Sequence, residues 1–187
     1  TRKESSAASD VYKRQDMASA DSMPTGKCLI LVTPDAKRTM TTSLSVSSFM
    51  DGQDLDLDEI ANSKIFYVEG YMVTSDENYG CVLSVLEHLK SFQDVKIALS
   101  LSDPGIVAGF IDKFKEIEAY GLDFIFGNDD EFMMFVGASN IDEAFDLLQS
   151  KNYISVITMG EQGSAVISSN EVIKTPRVNI EPVDTNG

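Results

Sequence analysis

Short β-rich apolar runs alternate with segments of helical apolar period along most of this chain, and that alternation restricts the fold more than any single residue. Residues 64–68, 95–101, 122–126 and 153–158 read as buried strands. Between the first two, Tyr79, Val82, Leu83, Leu86 and Leu89 recur at the spacing of one helix face over residues 75–90. After the second, Asp103-Pro104 opens one helix with the stripe Ile106, Phe110, Phe114 and Ile117, ended by Gly121. Helices are expected at 129–135 and 141–149, and two last strands at 164–168 and 171–174 across a Ser-Ser-Asn turn. Strand-helix-strand repetition of this kind predicts right-handed crossovers and an α/β fold. We expect a doubly wound, mostly parallel sheet with helices on both faces and antiparallel strands at its far edge. Ahead of it, residues 28–33 and 38–43 flank Pro34-Asp35-Ala36-Lys37 and read as a hairpin, followed by a short acidic helix at 54–62.

Charge narrows the function. The 187 residues carry 15 Lys and Arg against 30 Asp and Glu, a net charge of −15, which repels phosphate backbones and argues against nucleic-acid binding. With 43% hydrophobic residues the chain can bury a core, and no apolar run reaches the roughly 20 residues of a membrane span. Cys28 and Cys81 are expected to be reduced thiols packed as small hydrophobes, which points to a cytoplasmic protein. Residues 5–15 look like an in-frame translation of a transposase sequencing adapter, so residues 1–15 are read as non-native and set aside.

In a doubly wound sheet, ligands bind beyond the carboxyl ends of the strands. Those ends carry Glu69-Gly70, Ser100 to Asp103, Gly127 to Glu131, Thr158 to Gly163 and Asp184 to Gly187. Asn128-x-x-Glu131 is a capping box by spacing, as is Asn140-x-x-Glu143. The first copy follows a buried strand, where its amide could meet phosphate oxygens and its carboxylate a hydrated Mg²⁺. Thr158-x-Gly160-x-x-Gly163 fits a hairpin turn or a phosphate contact, and Asp184-Thr185-x-Gly187 a turn. His88, the single histidine, is expected to be solvated and away from this rim, which disfavours a Ser-His-Asp or Cys-His hydrolase. There is no Cys/His cluster for zinc and no Walker A loop. The carboxylates Asp51, Asp54, Asp56, Asp58 and Glu59 read as a solvated loop and helix N-terminus.

The order of these signals resembles the ribokinase-like (phosphofructokinase-B type) carbohydrate and nucleoside kinases, particularly their bacterial adenosine-kinase-like branch. The matching stretches are Thr25-Gly26, Leu31 to Met40, Glu69-Gly70-Tyr71, Leu101 to Pro104, Asn128-x-x-Glu131, Thr158-x-Gly160-x-x-Gly163 and Glu181 to Gly187. The resemblance implies transfer of the ATP γ-phosphoryl group to a primary hydroxyl of a sugar or nucleoside. It implies ATP or phosphate contacts from Asn128, Thr158, Gly160, Gly163, Asp184, Thr185 and Gly187, and Mg²⁺ held through water by Glu131. Residues 27–43 would form a lid, with Arg38 facing the acceptor or solvent, and a homodimer through the lid is a further expectation. The family's late motif continues as Gly-Ala-Gly-Asp, whose Asp is the catalytic base and would lie three residues after Gly187. Residues 16–187 therefore read as an incomplete kinase domain without its base, expected to be inactive alone. Ser100 stands where some relatives have Asn, so the acceptor stays open: adenosine, fructose, ribose or 2-keto-3-deoxygluconate, or a ligand bound without chemistry.

Overall fold

The structure, a computed structural model, describes residues 23–34, 38–50, 52 and 55–179. Strands β1 (Lys27–Val32) and β2 (Arg38–Ser43) pair as the expected antiparallel hairpin, and the turn expected at 35–37 lies outside the described residues. After a 3-10 turn at Ser45–Ser48 comes helix α1 (Leu57–Ala61), capped by Asp56, with Asp58 and Glu59 in its first turn. Then follow β3 (Ile65–Glu69), α2 (Asp76–Leu89), β4 (Lys96–Ser100), α3 (Pro104–Gly109), α4 (Ile111–Ala119) and β5 (Phe124–Asn128). The order closes with α5 (Asp129–Val136), α6 (Ile141–Gln149), β6 (Ile154–Thr158), β7 (Ser164–Ile167) and β8 (Val172–Thr175). The six-stranded sheet runs β3-β4-β5-β6-β7-β8, parallel through β6 and antiparallel beyond it.

Side chains alternate across this sheet, and the two faces differ. Val68, Ile97, Leu99, Ile125, Ile157, Ala165 and Ile167 point to one face and are almost fully buried. Val82 and Leu86 of α2, Phe114 and Ile117 of α4, Phe132 and Phe135 of α5, and Phe145 and Leu148 of α6 cover them. The opposite face carries Ile65, Tyr67, Phe124, Phe126, Ile154, Val166 and Ile173, in register across the strands. Among the described residues no helix joins the core from that side. Ile65 is 54% exposed and Tyr67 50%, and a hollow of about 510 Å³ opens there over Ala98, Phe124 and Phe126.

Three expectations need correction. The single helix expected from Asp103 to Gly121 is two, broken at Phe110 (φ −129°, ψ 28°). Gly109 weakens the helix there, and the bend turns Phe110 onto the core. His88 is half-buried against Phe92, with ring centroids 5.0 Å apart, rather than solvated. Cys81 is buried as expected, but Cys28 is exposed on the hairpin and accepts a hydrogen bond from Thr42 Oγ1 at 3.2 Å.

Candidate active site at the carboxyl rim of the sheet

Because β3 to β6 are parallel, their carboxyl ends fall on one rim. Register aligns Glu69 with Ser100 and, two residues further along the neighbouring strands, Asn128 with Thr158, all on the exposed side of the sheet. Asn128 is both the last residue of β5 and the N-cap of α5. Its Oδ1 accepts from the Glu131 amide at 2.8 Å, and its own amide donates to Glu131 Oε2 at 2.9 Å. Asn128 Nδ2 donates to Glu131 Oε1 at 2.8 Å. The structure thus forms the full capping box and leaves Glu131 buried at 6% exposure. Burial pushes the Glu131 carboxyl above its usual range, and the neighbouring charges of Asp103, Asp129 and Asp130 add to that, against the lowering effect of the Asn128 amide.

At Asn140 the cap differs. Asn140 Oδ1 accepts from the Glu143 amide at 3.0 Å, but the Glu143 carboxylate turns back to the Ser139 amide at 2.7 Å. This second copy is an exposed structural cap, as its spacing suggested.

Thr158 ends β6 with an exposed hydroxyl, whose hydrogen bond to the Gly127 carbonyl is long at 3.5 Å. The turn beyond it is a hairpin: the Met159 amide donates to the Gly163 carbonyl, and the Gly163 amide to the Gly160 carbonyl. Gly160 (φ 53°) and Gly163 (φ 90°) both need the left-handed freedom of glycine. A Cβ on Gly163 would also sit 2.1 Å from the Thr175 carbonyl oxygen, so the backbone leaving β8 crosses directly over this turn.

Sequence reading placed Glu69, Gly70 and Ser102 near the rim without seeing the bonds that join them. Ser102 adopts φ 70°, and its Oγ accepts from the Gly70 amide at 3.0 Å while donating to Glu69 Oε2 at 3.3 Å. A Cβ on Gly70 would meet the Ser100 and Leu101 carbonyl oxygens at 2.6 Å, so glycine lets β3 and β4 close together at their ends. The glycine directly after a strand was the available signal for this approach. Asp103, also on the rim, caps α3 by accepting from the amides of Gly105 and Ile106.

The structure brings Asn128, Glu131, Thr158, Gly160 and Gly163 to adjacent strand ends. Arg38 begins β2 opposite Val32, and its side chain lies outside the described part; Asp184, Thr185 and Gly187 lie outside the described residues altogether. Among the described residues, no group of three or more His, Cys, Asp or Glu side chains is placed to hold a metal ion directly. None of the described helices is long and apolar enough to cross a membrane.

Comparison with known proteins fits this architecture. An adenosine kinase from Sinorhizobium meliloti matches with a TM-score of 0.79 at 27% identity, covering 88% of this chain and 50% of its own. A protein described as a probable sugar kinase from Rhizobium etli CFN 42 matches with a TM-score of 0.80 at 25% identity, again over 88% and 50%. A double mutant of a Vibrio cholerae O395 fructokinase, solved with fructose, ADP and potassium, shares the fold with a TM-score of 0.67 at 14% identity, over 86% of this chain and 53% of its own. The chain therefore spans about half the length of these structures. No curated protein sequence matches it. The sequence profile described as "pfkB family carbohydrate kinase" matches residues 9–187. With its mostly parallel sheet, antiparallel hairpin and polar carboxyl rim, the chain belongs to the pfkB family of carbohydrate kinases.

Proposed function

We propose that this chain is part of an ATP- and Mg²⁺-dependent kinase that phosphorylates a primary hydroxyl of a nucleoside or sugar, with an adenosine-like nucleoside as the first acceptor to try. The observation that carries the reading is the polar row at the carboxyl rim, in a chain of this family: Asn128 and Thr158 paired across β5 and β6, with the Gly160–Gly163 turn beside them. Asn128 and the exposed Thr158 hydroxyl offer hydrogen bonds to a nucleotide's phosphate oxygens, and the glycine turn lets a phosphate chain approach the backbone. The N-terminus of α5 favours negative charge at the same place.

Mg²⁺ fits Glu131 through water rather than through a cage of direct ligands. Both carboxylate oxygens are engaged with Asn128; burial chiefly raises the carboxyl's pKa, and three neighbouring aspartates add a repulsion that a nearby cation would relieve. Bound there, the ion would neutralise phosphate charge. In the reaction itself the acceptor hydroxyl oxygen forms a bond to the γ-phosphorus, the bond to the β-phosphate oxygen breaks, and ADP leaves. The hydroxyl proton passes to a carboxylate, which we place three residues beyond Gly187, so these 187 residues alone would not turn over. Residues 27–43 act as the lid, with Arg38 toward the acceptor and a lid-mediated homodimer as the assembled form, in the cytoplasm.

The test is ADP formation by the full-length protein from the native gene, with adenosine, ribose, fructose and 2-keto-3-deoxygluconate offered separately. Acceptor-dependent ADP release with at least one, strongest with adenosine, is expected. Absence of acceptor-dependent turnover from a folded, ATP-binding protein would overturn the reading.

A further inference from the structure

The hairpin has no packed face of its own. Every residue of β1 is exposed, Leu29 at 62% and Leu31 at 57% on one side, Ile30 at 51% and Val32 at 55% on the other. An isolated two-stranded hairpin is marginal in water, so its position depends on how its ends are tethered. Those ends are closely joined. Ser45, in the left-handed region at φ 49°, donates from its Oγ to the Pro24 carbonyl, and the Val46 amide donates to the same oxygen. A Cβ on Gly26 would lie 2.7 Å from the Leu44 carbonyl oxygen, so the two strands leave the hairpin almost in contact.

The strap that follows, residues 47–50, is read by one face of α2. Ser75 Oγ donates to the Ser48 carbonyl. Asn78 Nδ2 donates to the Ser47 carbonyl at 2.8 Å, and Asn78 Oδ1 accepts from the Met50 amide at 2.9 Å. Cys81 Sγ donates to the Met50 carbonyl at 3.3 Å. Positions 75, 78 and 81 share a helix face at a spacing of three, and Asn78, at 3% exposure, is the central one. A buried amide with donor and acceptor both spent on another segment's backbone is costly to leave unmatched, which makes the clamp specific. At this same end, α2 directly follows the Gly70–Thr74 turn that Ser102 pins to the rim.

We propose that Asn78 is a positioning residue for the lid: it holds strap 47–50 to α2, so that the hairpin pivots about Pro24–Gly26 and Leu44–Val46 from a fixed base registered to the rim. This rests on reading residues 27–43 as the lid of a kinase. The hairpin then meets the acceptor side of the site, while nucleotide contacts at Asn128 and Thr158 do not depend on the strap.

The test compares wild type and Asn78→Ala in the full-length protein by amide exchange and by steady-state kinetics. The Met50 amide and its neighbours in 47–50 should exchange about 10-fold faster or more, the scale of one lost hydrogen bond, with β3 and β4 unchanged. The acceptor KM should rise about 3-fold or more while the ATP KM stays constant, a split typical of a displaced lid rather than a weakened fold. Uniformly faster exchange across the domain, equal rises in both KM values, or a loosened strap with unchanged acceptor KM would each overturn the proposal. If Asn78→Ala does not fold, Ser75→Ala removes the neighbouring strap bond and is judged by the same readouts. Failure of the kinase reading is distinguishable: wild type would then turn over none of the acceptors, while the exchange result would still show whether Asn78 holds the strap.

Discussion

The two faces of the sheet are built from the same strands, yet only one is covered by the described helices. On the covered face, Leu99, Ile125, Ile157 and Ile167 are wholly buried beneath α2, α4, α5 and α6. One residue away along the same strands, Ile65, Tyr67, Ile154 and Ile173 stand between 37% and 54% exposed. Away from the strand ends, both faces carry large apolar side chains. What differs is the partner, which teaches that strand composition specifies a two-sided demand for burial while the helices decide which side is met. The polar rim sits where these faces end, and it takes Glu131 from the buried side and Asn128 and Thr158 from the exposed side.

That contrast can be sharpened by substitution, beginning where the effect should be largest. Phe132 is fully buried between α5 and the covered face, so Phe132→Ala should destabilise the domain by about 3–5 kcal/mol, read from the urea midpoint. A cost below about 1 kcal/mol would mean that this face is not the core.

Glu131→Gln should act next, at the junction of the faces. It keeps an oxygen that can accept from the Asn128 backbone amide but sets an NH2 against Asn128 Nδ2, losing that side-chain hydrogen bond at a cost of about 1 kcal/mol, and its pH dependence has a defined sign. Burial raises the folded-state pKa of Glu131, so its contribution to stability is fully present below the unfolded value and is lost as pH rises through the folded one. The stability gap between wild type and variant should therefore narrow as pH climbs from the acid side toward neutrality. In the full-length enzyme the same change should raise the Mg²⁺ requirement. A gap that widens with pH would contradict the electrostatics, and unchanged Mg²⁺ dependence would reduce Glu131 to a helix cap. The smallest effect is expected on the exposed face, where Ile65→Ser should change stability by less than about 1 kcal/mol.

Much of this was legible beforehand because it rests on local pattern. The four parallel strands, the hairpin and both Asn-x-x-Glu caps follow from periodicity and spacing. The break at Phe110 was not, since the Ile106-to-Ile117 stripe keeps its period straight through Gly109 and only packing shows which way Phe110 turns. The left-handed Ser102 was equally hidden, because its conformation is set by the Gly70 amide and the Glu69 carboxylate, 32 and 33 residues away. Nor could composition show that the described helices cover only one sheet face: Phe124-Ile125-Phe126 reads as a strand apolar on both sides. Of the site, the adjacency of Asn128 and Thr158 was visible as strand ends, while the Asn78 clamp was not, being a contact between a helix face and a distant backbone.

The central claim is that the carboxyl rim is a phosphoryl-transfer site completed by a carboxylate just beyond Gly187. It is tested most directly by changing the Asp expected three residues after Gly187 to Asn in the full-length protein and following transfer of labelled γ-phosphate to the preferred acceptor. Turnover should fall about 10²-fold or more, the scale of a lost general base, with ATP affinity and folding unchanged. Near-wild-type transfer in that variant would contradict the account.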